Sequence, residues 1–174
     1  MSFILQELAA RAAVEETLAR YCRAIDRRDF SLLRDVYHDD ATDEHAGMFS
    51  GTVDEFIPFV REAIKSFERT THVLGQALIR VEGERAYSEA YFTASHVIKT
   101  DQDGHALLVV CGRYVDRHEL RNGKWRIAHR TTMIDWTAPP VSMENAGNPG
   151  QGLETLEVTG GDAALLPKRP PFFT

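Results

Sequence analysis

The spacing of apolar positions changes once along this chain, near Thr70: before it they recur every three or four residues, and after it they alternate. From Leu5 to Ile25 there is neither glycine nor proline. Val14, Leu18, Tyr21 and Ile25 fall at i, i+4, i+7 and i+11, one stripe of an amphipathic helix, which Cys22 widens. A short second helix is predicted from Asp29 as N-cap, with Phe30, Leu33, Val36 and Tyr37 on its buried side, ending near His38-Asp39-Asp40. Residues 41–49 are polar and fit a short strand or a loop. The capping-box pattern Thr52-x-x-Glu55 opens a third helix that continues to about Phe67, with a start that Pro58 is expected to delay.

Four strand-like runs follow: Thr71 to Val81, Arg85 to Lys99, Ala106 to Leu120 and Lys124 to Thr137. The turn chemistry of Glu82-Gly83-Glu84, Asp103-Gly104 and Arg121-Asn122-Gly123 separates them. They predict a four-stranded antiparallel meander. Helices first and long strands afterwards make an α+β fold in which helices cover one sheet face and can leave a closed-ended apolar cavity. In the first of these strands a period of two places His72 with Leu74, Gln76 and Leu78, and Val73, Ala77, Ile79 and Val81 on the opposite face. Beyond Trp136 the pattern is lost: residues 138–174 hold six of the seven prolines. The expected organisation is one domain, 1–137, and an irregular tail, 138–174, that crosses the surface, caps a pocket or reaches a neighbouring subunit.

Composition narrows the function. At 174 residues, 43% hydrophobic and 26% charged, the chain is long enough for one core with a pocket in it. A net charge of −6 without a Lys/Arg run argues against nucleic acid and against an anionic membrane surface, so a small molecule is the expected partner. No stretch approaches a membrane span, and the N-terminal stretch lacks the basic start and unbroken apolar run of a signal peptide. With Cys22 and Cys111 read as reduced thiols, the expected location is cytoplasmic.

Two residues raise a chemical question. His72 stands at the mouth of an apolar strand, where a core-edge histidine bonded to a backbone group is the simpler reading. Asp26 lies at the C-terminal end of the first helix, where the macrodipole disfavours a carboxylate and a compensating partner is needed; Arg23, Arg27 or solvent would suffice. No HExxH, facial-triad or cysteine-cluster spacing appears and the glycines sit singly at turns, so neither a metal nor another cofactor is expected.

The stretch LAARAAVEETLARYCRAIDRRDFSLLRDVYHDDATDEH (residues 8–45), then RTTHVLGQ and NGKWRIAHRTTMIDWTAP, carries the motifs A-x-D-x-x-D-F, T-x-H and W-R-I. Over residues 5–138 it resembles the SnoaL-like branch of the nuclear-transport-factor-2-like (NTF2-like) superfamily, nearest the scytalone dehydratase and hexachlorocyclohexane dehydrochlorinase group. That resemblance implies a cone of three N-terminal helices packed on a curved, mainly antiparallel sheet of four to six strands. It also implies that Asp26 and His72 form a dyad in an enclosed pocket, and that the protein is a cofactor-independent lyase, dehydratase-like, or an isomerase. By the same resemblance His96 matches a second histidine that protonates a departing hydroxyl, or is a half-exposed strand histidine. Arg130 steadies a leaving anion, or forms a surface or interface ion pair. Tyr21 replaces the dehydrochlorinases' lysine, which argues against halide elimination and for an oxygenated, cyclic or aromatic substrate. Cys22 joins the possible binding residues, His45 lines the entrance, and His38, His105, His118 and His129 read as surface or framework. A polyketide-cyclase-like enzyme and a non-catalytic binding or subunit module remain as alternatives. Relatives form dimers or trimers, and a homo-oligomer is expected through a convex face bearing Val110, Tyr114 and Ile134.

Overall fold

The computed structural model describes residues 3–100 and 104–143. Helix α1 spans Phe3–Asp26, and the whole predicted stripe, Val14, Leu18, Tyr21, Cys22 and Ile25, is buried. The chain reverses through Arg28, whose φ is +52°. Asp29 then caps α2 (Phe30–Asp35), its carboxylate accepting the Leu32 N–H at 3.0 Å. This helix is shorter than expected. Val36 is its C-cap and Tyr37 already belongs to strand β1 (Tyr37–His45), where the phenol is fully buried and donates to Asp43. Satisfying that hydroxyl outweighs the local helical pattern.

Strand β2 (Phe49–Thr52) follows a tight turn through Ala46 and Gly47, both at positive φ. Helix α3 (Val53–Ala63) begins directly after Thr52, so Pro58 does not delay it. The proline removes one donor to the carbonyl of Asp54, and both residues face solvent, where water can serve that carbonyl. A 3-10 turn, Ile64–Ser66, completes the segment before β3 (Arg69–Glu82), β4 (Arg85–Lys99), β5 (His105–Arg121) and β6 (Lys124–Ser142).

The sheet has six strands in the order β2-β1-β6-β5-β4-β3, not the four of the meander alone. β1 runs parallel to β6 and every other pairing is antiparallel. The three helices therefore do not all precede the sheet: its first two strands lie between α2 and α3. β3 is an edge strand, and α1 packs across it and β6. β6 continues five residues beyond the expected boundary at 137; the rest of the predicted tail lies outside the described residues. No helix among the described residues is long and apolar enough to cross a membrane.

A bulge between Leu74 and Ala77 corrects the face assignment in β3. Thr70, His72 and Leu74 point inward, and after Gly75-Gln76 the inward set resumes as Ala77, Ile79 and Val81, leaving Leu78 74% exposed. The expected exposure of Val110 and Tyr114 on the convex face is corrected as well. Tyr114 is buried and Val110 packs on the core, while Ile134, Val73, Tyr91, Met133 and Trp136 are exposed.

Candidate active site

Asp26 is the last residue of α1, and His72 lies four residues into β3. The carboxylate accepts three hydrogen bonds: from the Thr70 hydroxyl at 3.0 Å, the His72 backbone N–H at 2.9 Å and His72 Nδ1–H at 2.7 Å. These are the compensating partners that a carboxylate at a helix C-terminus requires. An ionised carboxylate can only accept, so Nδ1 carries the proton and Nε2 presents its lone pair. Both side chains are mostly buried, 10% exposed for His72 and 16% for Asp26.

The pair lines a cleft of about 510 Å³ between α1 and β3, together with Cys22, Arg23, Thr70 and Leu74. This is not the closed-ended cavity expected at the centre of the cone. There Phe92 stacks on Tyr114 at 4.3 Å, and the Arg130 guanidinium lies over the rings of both Tyr114 and Tyr21, at 4.1 and 3.9 Å.

His96 enters from β4, where it pairs in register with Thr70. Its ring stands edge-on to His72 at 5.6 Å and stacks on Phe67 at 4.2 Å. Burial, reinforced by His72, pushes its pKa down to about 4. At neutral pH it is a neutral imidazole able to donate or accept a hydrogen bond, not a charged acid. Cys22 reaches the cleft, but burial pushes its thiol up to about 12, which keeps it protonated and unreactive.

Asp26, His72 and Cys22 are thus brought together on the cleft wall, with His96 beside His72 but outside the lining; Tyr21, Arg130 and His45 are not part of that wall either. Arg130 is fully buried and bidentate to Asp116, at 2.8 and 2.6 Å, so it is neither a surface nor an interface pair. Tyr21 is buried against it, and desolvation raises its hydroxyl pKa well above the usual value. His45 ends β1 with its ring 5.6 Å from Phe56. His118 is a framework residue, fully buried with Nε2 2.9 Å from the Ser88 hydroxyl. Sequence reasoning passed over two residues. Thr70 lay inside the quoted T-x-H motif, which was its only signal, and Asp43 sat in a polar segment that gave none.

A SnoaL-like domain model matches residues 6–131. Protein Mb2934c of Mycobacterium bovis is 27% identical over 127 residues, covering 71% of this chain and 84% of its own length. Among solved structures, a hexachlorocyclohexane dehydrochlorinase (LinA) of type 2 superposes with a TM-score of 0.73 at 17% identity, over 84% of this chain and 98% of that one. A scytalone dehydratase-like protein of Novosphingobium aromaticivorans gives 0.68 at 19% identity, over 76% and 88%. With element order, curved sheet and family model in agreement, the chain belongs to the SnoaL-like domain family of the NTF2-like superfamily.

Proposed function

We propose that this protein is a cofactor-independent lyase, dehydratase-like, or an isomerase of a small, largely apolar, oxygenated molecule that binds in the α1–β3 cleft. The observation that carries the reading is the 2.7 Å bond from His72 Nδ1–H to Asp26 at the cleft wall. His72 Nε2 removes a proton from the substrate, and Asp26 fixes the tautomer and balances the imidazolium that forms. His96, neutral and beside His72 but outside the cleft lining, packs next to the base and not on the substrate. The dehydrochlorinase and scytalone dehydratase-like neighbours support a lyase by likeness of fold.

The test is a screen of dehydration and isomerisation on cyclic oxygenated compounds, followed by His72→Gln. A placed general base contributes about 10²–10⁴-fold, so turnover should fall by at least ~10²-fold with an unchanged circular dichroism spectrum. Undiminished turnover would rule the mechanism out.

One observation favours a second reading. Asp26 also accepts the His72 backbone N–H and the Thr70 hydroxyl, which fastens the end of α1 to an edge strand. On that reading the pair is a structural tie in a binding module: His72→Gln would lower stability, and a bound ligand would be recovered unchanged.

A further inference from the structure

Helix α1 turns two rows of side chains to the cleft. Cys22 and Asp26, at i and i+4, form the inner row; Ala19, Arg23 and Arg27, at i, i+4 and i+8, form the outer one. Burial follows the same order. Cys22 is buried and Asp26 half-buried, whereas Arg23 is half-buried and Ala19 and Arg27 are exposed. At the rise of a helix the outer row runs about 12 Å along the cleft. β3 forms the facing wall with His72, Val73 and Leu74. A molecule lying between them has the Asp26–His72 pair on its inner side and two guanidinium side chains along its outer side.

The charge of this wall is opposite to that of the chain. Net charge is −6 overall, yet two arginines and one aspartate line the cleft. The aspartate takes its hydrogen bonds from β3, through Thr70 and His72, on both carboxylate oxygens. Each guanidinium carries more N–H donors than one carboxylate takes, so a contact elsewhere still leaves donors for a ligand. A cation would be repelled by both arginines, and a neutral ligand would leave their donors unused. An anion with an apolar body matches both parts of the lining, the arginines on one side and Val73 and Leu74 on the other.

Resting on the reading of His72 as the base, we propose that the substrate carries a carboxylate, which Arg23 and Arg27 hold at the outer rim of the α1–β3 cleft. Its apolar body then lies on Val73 and Leu74, with the reacting carbon toward His72 Nε2. Arg23 supplies most of the affinity, because a charge pair at an exposed group such as Arg27 is screened by water and salt. The carboxylate is the handle and not the reacting group: it sets the direction in which the molecule lies and selects acids over their neutral analogues.

The experiment is an NMR titration of the full chain with benzoate, with benzamide as the probe of similar shape that lacks the charge. Benzoate should give saturable shifts centred on Arg23, Arg27 and His72 and bind about tenfold more tightly than benzamide, the worth of a charge-assisted hydrogen bond. Arg23→Gln should weaken benzoate binding about fivefold and Arg27→Gln by less. The double variant, with an unchanged circular dichroism spectrum, should bind the two probes equally. Turnover by His72→Gln separates this inference from the reading it rests on. Loss of turnover without a benzoate preference in the parent would overturn the carboxylate site alone; a benzoate preference with turnover undiminished would remove the base and keep the site. Benzamide binding as tightly as benzoate, a preference that survives in the double variant, shifts centred away from the cleft, or an absence of saturable binding would each overturn the proposal.

Discussion

Asp26 Oδ1 serves two donors at once, the Thr70 hydroxyl and His72 Nδ1–H, while Oδ2 takes a backbone N–H. Every donor it holds comes from one edge strand, so its orientation is set by β3 and not by the helix that carries it. Asp26→Asn keeps the volume but offers an N–H₂ that can turn toward the imidazole. We expect the ¹⁵N imidazole spectrum of His72 to change from the Nδ1–H tautomer toward Nε2–H, with turnover reduced by at least ~10²-fold. An unchanged tautomer would show that the backbone around His72, not the carboxylate, orients the ring. Thr70→Val should cost about 1 kcal/mol of unfolding free energy in urea, the net worth of one hydrogen bond, and Thr70→Ser should restore it. The Asp26–His72 pairing was legible only through resemblance to a family, because the two residues are 46 positions apart and no local period links them. Asp43 was not legible at all. Its inward position is fixed by the Tyr37 hydroxyl and the pairing of β1 with β6, and the polar segment around it fits a short strand or a loop equally.

At the level of elements, what could be read was what is fixed locally. The stripe of α1, the caps at Asp29 and Thr52 and the turn at Asn122-Gly123, both at positive φ, depend on a few neighbouring residues. The parallel pairing of β1 with β6 joins segments far apart in the chain, and the polar stretch 41–49 shows no alternation to announce it. The bulge in β3 was missed for a related reason: extending a period of two through Gly75 leaves no room for the extra residue that returns Ala77, Ile79 and Val81 to the core. β5 carries a close approach of its own. A Cβ added at Gly112 would overlap the Met133 carbonyl of β6 and come within 2.9 Å of the Phe92 ring, which stacks on Tyr114. Backbone cannot yield there as a flexible side chain could. Gly112→Ala should therefore destabilise the fold by more than about 3 kcal/mol, beyond ordinary overpacking, as read by urea denaturation. A loss under about 1 kcal/mol would mean that β5 and β6 separate more freely than their ladder suggests.

For the molecule as a whole, two buried histidines set the response to acid. Burial is the leading cause that pushes both His96 and His118 down to about 4; the nearby Asp116 opposes the shift at His118, and His72 adds to it at His96. In the unfolded chain each titrates near pH 6.5. Between about pH 6.5 and about 4 the unfolded chain therefore binds protons that the folded chain refuses, and stability falls as pH falls through that window. Above it both states are neutral at these sites and the dependence is flat. Within it each histidine removes up to about 1.4 kcal/mol per pH unit, and the two together up to about twice that. The carboxylates with lowered values, Asp40, Glu55, Glu119 and Asp135, are held down chiefly by hydrogen bonds from arginines or, for Glu55, from Thr52, and their protonation belongs to more acidic solution. Urea midpoints measured from pH 7.5 to 4.5 should hold level to about pH 6.5 and then decline. His118→Gln, which removes one of the two titrations and keeps a partner for Ser88, should about halve the slope relative to the parent. A midpoint that stays level down to pH 5 would place both imidazoles in contact with water, and the interior beside His72 would then be open to solvent from the β4 side as well as through the cleft.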